Sequence, residues 1–188
     1  MQSANSHEGR FFVSPALNEF GYQLTIFGIA AATGKPADQV FLRYSLPAYP
    51  SSPFEAASAA YGDAAFACTA AASSQRLAQF VPTYASEFDD PAASQLGAMH
   101  TAELKYLFNL NLGGPPVGPA SLPATSQVLA ARMRDYWTQF ARTGNPNSGG
   151  APEWKRISDG QVQSLTAPSP SSQSLADYRA RHQCAFWD

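Results

Sequence analysis

Charge is scarce in this 188-residue chain: Asp, Glu, Lys and Arg together make up 14% of it, against ~25% in an ordinary soluble domain. Apolar residues, at 45%, sit near the usual level, so little of the chain is built to face water. The 12 basic and 14 acidic residues give a net charge of −2 and form no Lys/Arg cluster. Binding a phosphate backbone needs a basic footprint, so a nucleic-acid partner is not expected. Long hydrophobic runs are also missing. The most apolar stretch, Leu24 to Ala32, is interrupted by Gly28 and falls far short of the roughly 18 residues that span a bilayer. The polar segment Met1 to Arg10 has no apolar core of the kind a signal peptide needs, so none is expected in this chain.

Catalytic motifs are equally sparse. The chain has no Gly-x-Ser-x-Gly elbow, no His-Gly-Gly oxyanion motif, no P-loop and no dinucleotide-binding glycine pattern. No cofactor is expected. The three histidines, His7, His100 and His182, lie too far apart to form a metal signature, and no metal is expected either. His7 and His182 have polar neighbours and read as surface residues. His100 follows a candidate buried strand and a short glycine-containing loop, the place where α/β sheets put their sites. The adjacent acids Asp89 and Asp90 read as a turn before Pro91 rather than a catalytic pair. Cys68 and Cys184 form no CxxC motif. They are either two buried thiols or one disulfide, whose long loop would be worth about 4–5 kcal/mol in the chain-entropy model.

Several helices are legible. Ser52-Pro53-Phe54-Glu55 is a capping box with proline at the first helical position, predicting a helix from about Pro53 to Tyr61. Leu129, Met133, Tyr136, Trp137 and Phe140 form one apolar stripe on a helix stopped by Gly144 and Pro146. Leu17, Phe20, Leu24 and Phe27 make a similar stripe, Ala64 to Phe80 is Ala-rich, and Leu175 to Trp187 follows a Ser174 cap. Strands are fewer. Phe80 to Phe88 reads as an interior strand and Gln161 to Thr166 as a second one. The fold class is therefore α/β, helix-rich with few strands and an incomplete sheet. The Gly/Pro-rich stretch 111–123 and the Ser/Pro-rich stretch 166–174 read as surface loops within one domain spanning 1–188.

Taken in order, these segments resemble the C-terminal part of the type-B carboxylesterases, the cholinesterase-like branch of the α/β-hydrolases. Ser3 to Phe12 (SANSHEGRFF) is similar to the family's segment around its catalytic acid, which falls on Glu8. Gly97 to Leu104 (GAMHTAEL) is similar to the catalytic histidine motif, with His100 as base. Tyr136 to Asn147 and Pro152-Glu153-Trp154 match the family's helix and following loop, and Tyr61 to Cys68 and Cys184 to Trp187 resemble the segments whose cysteines pair in many members. The chain departs from the pattern at His7, where aspartate is commoner, and at Thr101, where glycine is common.

The resemblance implies a Ser–His–Glu esterase of which this chain supplies Glu8 and His100, with Glu103 supporting the histidine loop, while the nucleophile and oxyanion hole lie upstream. It implies a small ester as substrate, a Cys68–Cys184 disulfide, a secreted or periplasmic parent enzyme, and the missing N-terminal part as partner. Asp63 is then expected to pair with Arg179 or Arg181. The apolar surfaces of the 129–140 stripe and the 80–88 strand are expected to be shaped for a sheet the chain lacks, so that it associates when alone. The alternatives are a non-catalytic binding or adhesion module of the same fold, or an inactive truncated product.

Overall fold

A computed structural model of the protein describes residues 1–50, 52–108, 110 and 121–188. Most of the 111–123 loop lies outside them. Four strands form one sheet in the order β1 (Gln2–Asn5), β2 (Ala85–Phe88), β3 (Gln161–Leu165) and β4 (Ser171–Ser174). The first three are parallel and β4 is antiparallel. Gln2 pairs with Ala85 and Ser86 with Gln163, which places β2 in the interior with all four of its residues buried.

Side chains alternate across this sheet and so divide the core. On one face Phe88 and Leu165 pack with Leu129, Met133 and Tyr136 of α6 (Ala124–Thr143) and with Trp154. On the other, Ala85 and Val162 meet Ala71 of α4 (Cys68–Leu77) and Leu175 and Tyr178 of α7 (Leu175–Arg181). A third cluster is helical: Tyr22, Ile26 and Ile29 of α1 (Glu19–Thr33), Val40 of α2 (Ala37–Arg43), and Ala56, Ala57 and Ala60 of α3 (Pro53–Gly62).

The α6 stripe does not wait for an absent sheet, as the sequence suggests, because the chain's own β2 and β3 cover it. Gly144, at φ 74°, ends α6 in the left-handed conformation that glycine adopts without penalty. The interior strand is shorter than expected: it begins at Ala85, and Phe80 is 83% exposed. The stripe of Phe20, Leu24 and Phe27 turns out to be the solvent face of α1. Ser52 caps α3 by accepting the Glu55 N–H at 3.2 Å, but the Glu55 carboxylate reaches Arg10 instead of closing the capping box. The single C-terminal helix is two, α7 and α8 (Cys184–Trp187), broken at Gln183, whose φ is 53°. β1 and β4 have no counterpart among the expected strands. A π-helical turn, Asp63–Ala67, joins α3 to α4 and carries the chain to Cys68, which is disulfide-bonded to Cys184.

Candidate active site

The site lies at the C-terminal ends of β1 and β2, where two turns meet. A 3₁₀ turn, Glu8–Phe11, follows β1 and carries Glu8; a loop after β2 carries His100. His7 N–H donates to Ala98 O at 3.1 Å and His7 bridges to Met99 in parallel fashion, extending the β1–β2 alignment into both turns. That alignment sets Glu8 Oε2 2.6 Å from His100 Nδ1. The other carboxylate oxygen, Oε1, accepts the Asn5 N–H at 2.7 Å.

Glycine makes the acid turn possible. A Cβ on Gly9 would stand 1.9 Å from Ser58 O of α3, so the turn can seat against that helix only without a side chain at this position. Arg10 adds a second anchor: Nε and Nη2 donate to Glu55 at 3.0 and 2.7 Å, and Nη1 donates to Leu96 O at 3.1 Å, tying the histidine loop to the start of α3.

Burial pushes the Glu8 carboxyl above its ordinary value, partly offset by the Asn5 N–H and by His100. With the ionised carboxylate as acceptor, His100 Nδ1 carries the proton and Nε2 becomes the basic nitrogen. Three phenyl rings form an open cage beside the imidazole, Phe12 and Phe66 each with its ring centre 5.1 Å away and Phe11 at 5.9 Å. The His100 side chain stays 35% exposed, so its second nitrogen remains accessible to a partner. Among the described residues, no serine hydroxyl hydrogen-bonds to His100.

Glu103 lies just before α5 (Leu104–Phe108), in the turn rather than on the helix. Its Oε2 accepts from Asn5 Nδ2 at 2.6 Å, while the same amide donates to Met99 O at 2.7 Å. Thr101, in the position where glycine is common, adopts φ 70°. Asp90 opens a turn, its Oδ1 accepting the Ala92 N–H at 2.9 Å and its O the Ala93 N–H at 3.1 Å, while Asp89 accepts from Ser6 Oγ and Asp90 Oδ2 from Tyr106 and Ser126.

Two expectations fail near the C-terminus. His182 is buried, not on the surface: Nδ1 lies 2.5 Å from Asp63 and Nε2 2.7 Å from Glu87. Asp63 thus pairs with His182, and accepts from Tyr44 at 2.8 Å, rather than pairing with Arg179 or Arg181. Arg181 goes to Glu87 and Arg179 to Asp188. Burial alone would lower the His182 pKa, but the hydrogen bonds and charges of Asp63 and Glu87 outweigh it and raise it to about 9.

Sequence reasoning gave no role to Asn5, Arg10 or the phenyl cage. The Phe11–Phe12 pair directly after Glu8-Gly9-Arg10 was the available signal for the cage.

Among the described residues, no group of His, Cys, Asp and Glu has the arrangement of a metal site, and no helix is long and apolar enough to cross a membrane. The solved structure of Aspergillus niger EstA is similar over 99% of this chain and 38% of its own, with TM-score 0.72 and 22% identity. The fold is the C-terminal portion of an α/β-hydrolase. Acetylcholinesterase of Gallus gallus is 31% identical over 181 residues, covering 85% of this chain and 22% of the relative. Carboxylesterase 4A of Bos taurus is 35% identical over 81 residues, covering 40% and 14%. The chain thus spans less than a quarter of the length of these relatives. A model of the carboxylesterase family matches residues 30–187, a span that includes His100, Glu103 and both cysteines while Glu8 precedes it. On that match the chain belongs to the carboxylesterase family.

Proposed function

We propose that the chain is the acid–base portion of a type-B serine carboxylesterase, with Glu8 as catalytic acid, His100 as catalytic base and Glu103 in support. The observation that carries this reading is the 2.6 Å contact of Glu8 Oε2 with His100 Nδ1 beside an open phenyl cage. His100 Nε2 accepts the proton of a serine hydroxyl as its oxygen attacks the ester carbonyl, then returns that proton to the departing alcohol oxygen. Water repeats the sequence on the acyl-enzyme and releases the acid. Glu8 holds the Nδ1–H tautomer and stabilises the imidazolium formed at each step. The serine and the oxyanion hole are assigned to sequence outside these 188 residues, since the chain holds no Gly-x-Ser-x-Gly elbow. The Cys68–Cys184 disulfide supports an oxidising, secreted or periplasmic setting for the enzyme. A purely adhesive or binding role has no use for an imidazole held by a buried carboxylate, so the Glu8–His100 geometry favours catalysis over it.

The purified chain should not hydrolyse a short-chain nitrophenyl ester; turnover abolished by His100→Ala would sink the missing-serine part. Expression from a longer reading frame that includes an upstream Gly-x-Ser-x-Gly should give turnover, with Glu8→Gln lowering kcat by roughly 10³–10⁴. A longer protein that carries the elbow yet hydrolyses no short-chain ester would overturn the reading.

A further inference from the structure

We propose that Asn5 is a positioning residue that keeps Glu8, and not Glu103, as the partner of His100. The inference rests on the reading of Glu8 and His100 as acid and base. Two carboxylates serve the histidine loop: Glu8 contacts the imidazole, and Glu103 follows His100 by three residues in the same loop. Asn5 contacts both. Its backbone N–H donates to Glu8 Oε1 at 2.7 Å, and its side-chain amide donates to Glu103 Oε2 at 2.6 Å.

The amide has no freedom to do otherwise. Asn5 is 3% exposed, ends β1 and is paired opposite Phe88. Both acceptors it faces, Glu103 Oε2 and Met99 O, require N–H donors, which fixes the amide with its nitrogen towards them and uses both of its hydrogens. Met99 immediately precedes His100, so one side chain clamps the histidine loop and holds back the second carboxylate. Aspartate at this position would place a third acceptor against two others, and an apolar residue would leave the Glu103 carboxylate without this donor. The proximity of the two acids is felt at Glu8, where burial first and the Glu103 charge among the lesser causes push its carboxyl up.

The experiment uses the 188-residue chain and proton NMR, so it does not depend on turnover. A short Nδ1–H to carboxylate bond gives a strongly downfield proton. His182 has one too, so the His100 signal is the one removed by His100→Ala and kept in His182→Gln. Glu8→Gln must remove it as well; if Glu8→Gln leaves it in place, the acid assignment fails, which is separate from the role of Asn5. Asn5→Ala frees Glu103 to take the Nδ1–H, so the His100 resonance should move from its native position and should then survive Glu8→Gln in the Asn5→Ala/Glu8→Gln variant, while the backbone amide spectrum stays native. Asn5→Ala/Glu103→Gln, which removes the competing charge, should return it to the native position, and Glu103→Gln alone should leave it there. A merely structural asparagine would not be rescued by neutralising Glu103. If Asn5→Ala does not fold but Asn5→Ala/Glu103→Gln folds and shows the native resonance, the proposal stands. A resonance at the native position in Asn5→Ala, its loss in Asn5→Ala/Glu8→Gln, its failure to return in Asn5→Ala/Glu103→Gln, its displacement in Glu103→Gln, or failure of both Asn5→Ala and Asn5→Ala/Glu103→Gln to fold would overturn it.

Discussion

Glu8 and His100 are 92 residues apart in sequence and 2.6 Å apart in space, brought together because β1 and β2 run parallel and end in adjoining turns. The His7–Met99 bridge carries that alignment past the ends of the strands. Each turn is therefore held by backbone pairing on one side and by side-chain anchors on the other. Perturbing either anchor should be felt at the histidine.

Gly9→Ala tests the acid turn. The added methyl would sit 1.9 Å from Ser58 O, a backbone atom that cannot swing aside, so either the turn or α3 must move. A destabilisation of about 3 kcal/mol is expected. Thermal unfolding should show the drop, and the downfield His100 proton should vanish with it. A variant with native Tm would mean that the turn has slack the packing does not suggest.

Thr101→Gly tests the other side. A β-branched residue at φ 70° is strained, and glycine adopts that conformation freely. The relief exceeds the extra flexibility glycine brings to the unfolded chain. The net gain should be about 1 kcal/mol, which raises Tm by about 2–4 °C for a chain of this size. A lower Tm would show that the threonine side chain makes a compensating contact.

What the sequence made legible follows local chemistry. Pro53 at a helix start, Gly144 at a helix end and the α6 stripe are local signals, and the structure has each of them. Glu8 is marked by motif resemblance alone and His100 by that and by its place after a candidate strand, since nothing in composition or spacing foretells their contact. The opaque parts depend on partners far away. β1 and β4, with sequences QSAN and SSQS, become strands only because β2 and β3 offer them hydrogen bonds. His182 looked like a surface residue because both carboxylates that bury it, Asp63 and Glu87, come from distant elements. In α1, Tyr22, Ile26 and Ile29 repeat with the same spacing as Phe20, Leu24 and Phe27, so periodicity could not choose the inward face.

The buried His182 makes stability depend on pH. Its folded pKa, about 9, lies above the ordinary 6.5, so protonated His182 stabilises the fold. That contribution is fully present below about pH 6.5 and is lost as pH rises through about 9, amounting to roughly 3 kcal/mol. Tm measured from pH 6.5 to 9.5 should fall, and His182→Gln should flatten that slope. An equal slope in the variant would assign the effect to other groups.

Cys68 and Cys184 tie the start of α4, just past the π-helical turn, to α8 across 116 residues of chain. In the chain-entropy model the link is worth about 4–5 kcal/mol. Reduction, or a double Cys→Ser change, should lower the unfolding midpoint accordingly, and native-state alkylation before reduction should label neither thiol. Labelling of both would mean the bond does not form in solution.

The solvent face of α1 bears on association. Phe20, Leu24 and Phe27 are 68%, 57% and 55% exposed, and Leu42 of α2 is 75% exposed. Contiguous apolar side chains on a chain with so few charges favour self-association, because contact removes them from water at ~25 cal/mol per Å². Association is thus expected to use the α1 face rather than the α6 stripe, whose Leu129, Met133 and Tyr136 are already covered. Sedimentation velocity should show a weight-average mass that rises with concentration. Phe20→Ser/Leu24→Ser should return the chain towards monomer; Phe27 is left unchanged because its ring packs 5.3 Å from Phe41. Both substituted positions are exposed, so the change in folding stability should stay within about 0.5 kcal/mol. A native chain that sediments as one monomeric species at every concentration would show that this face does not drive contact.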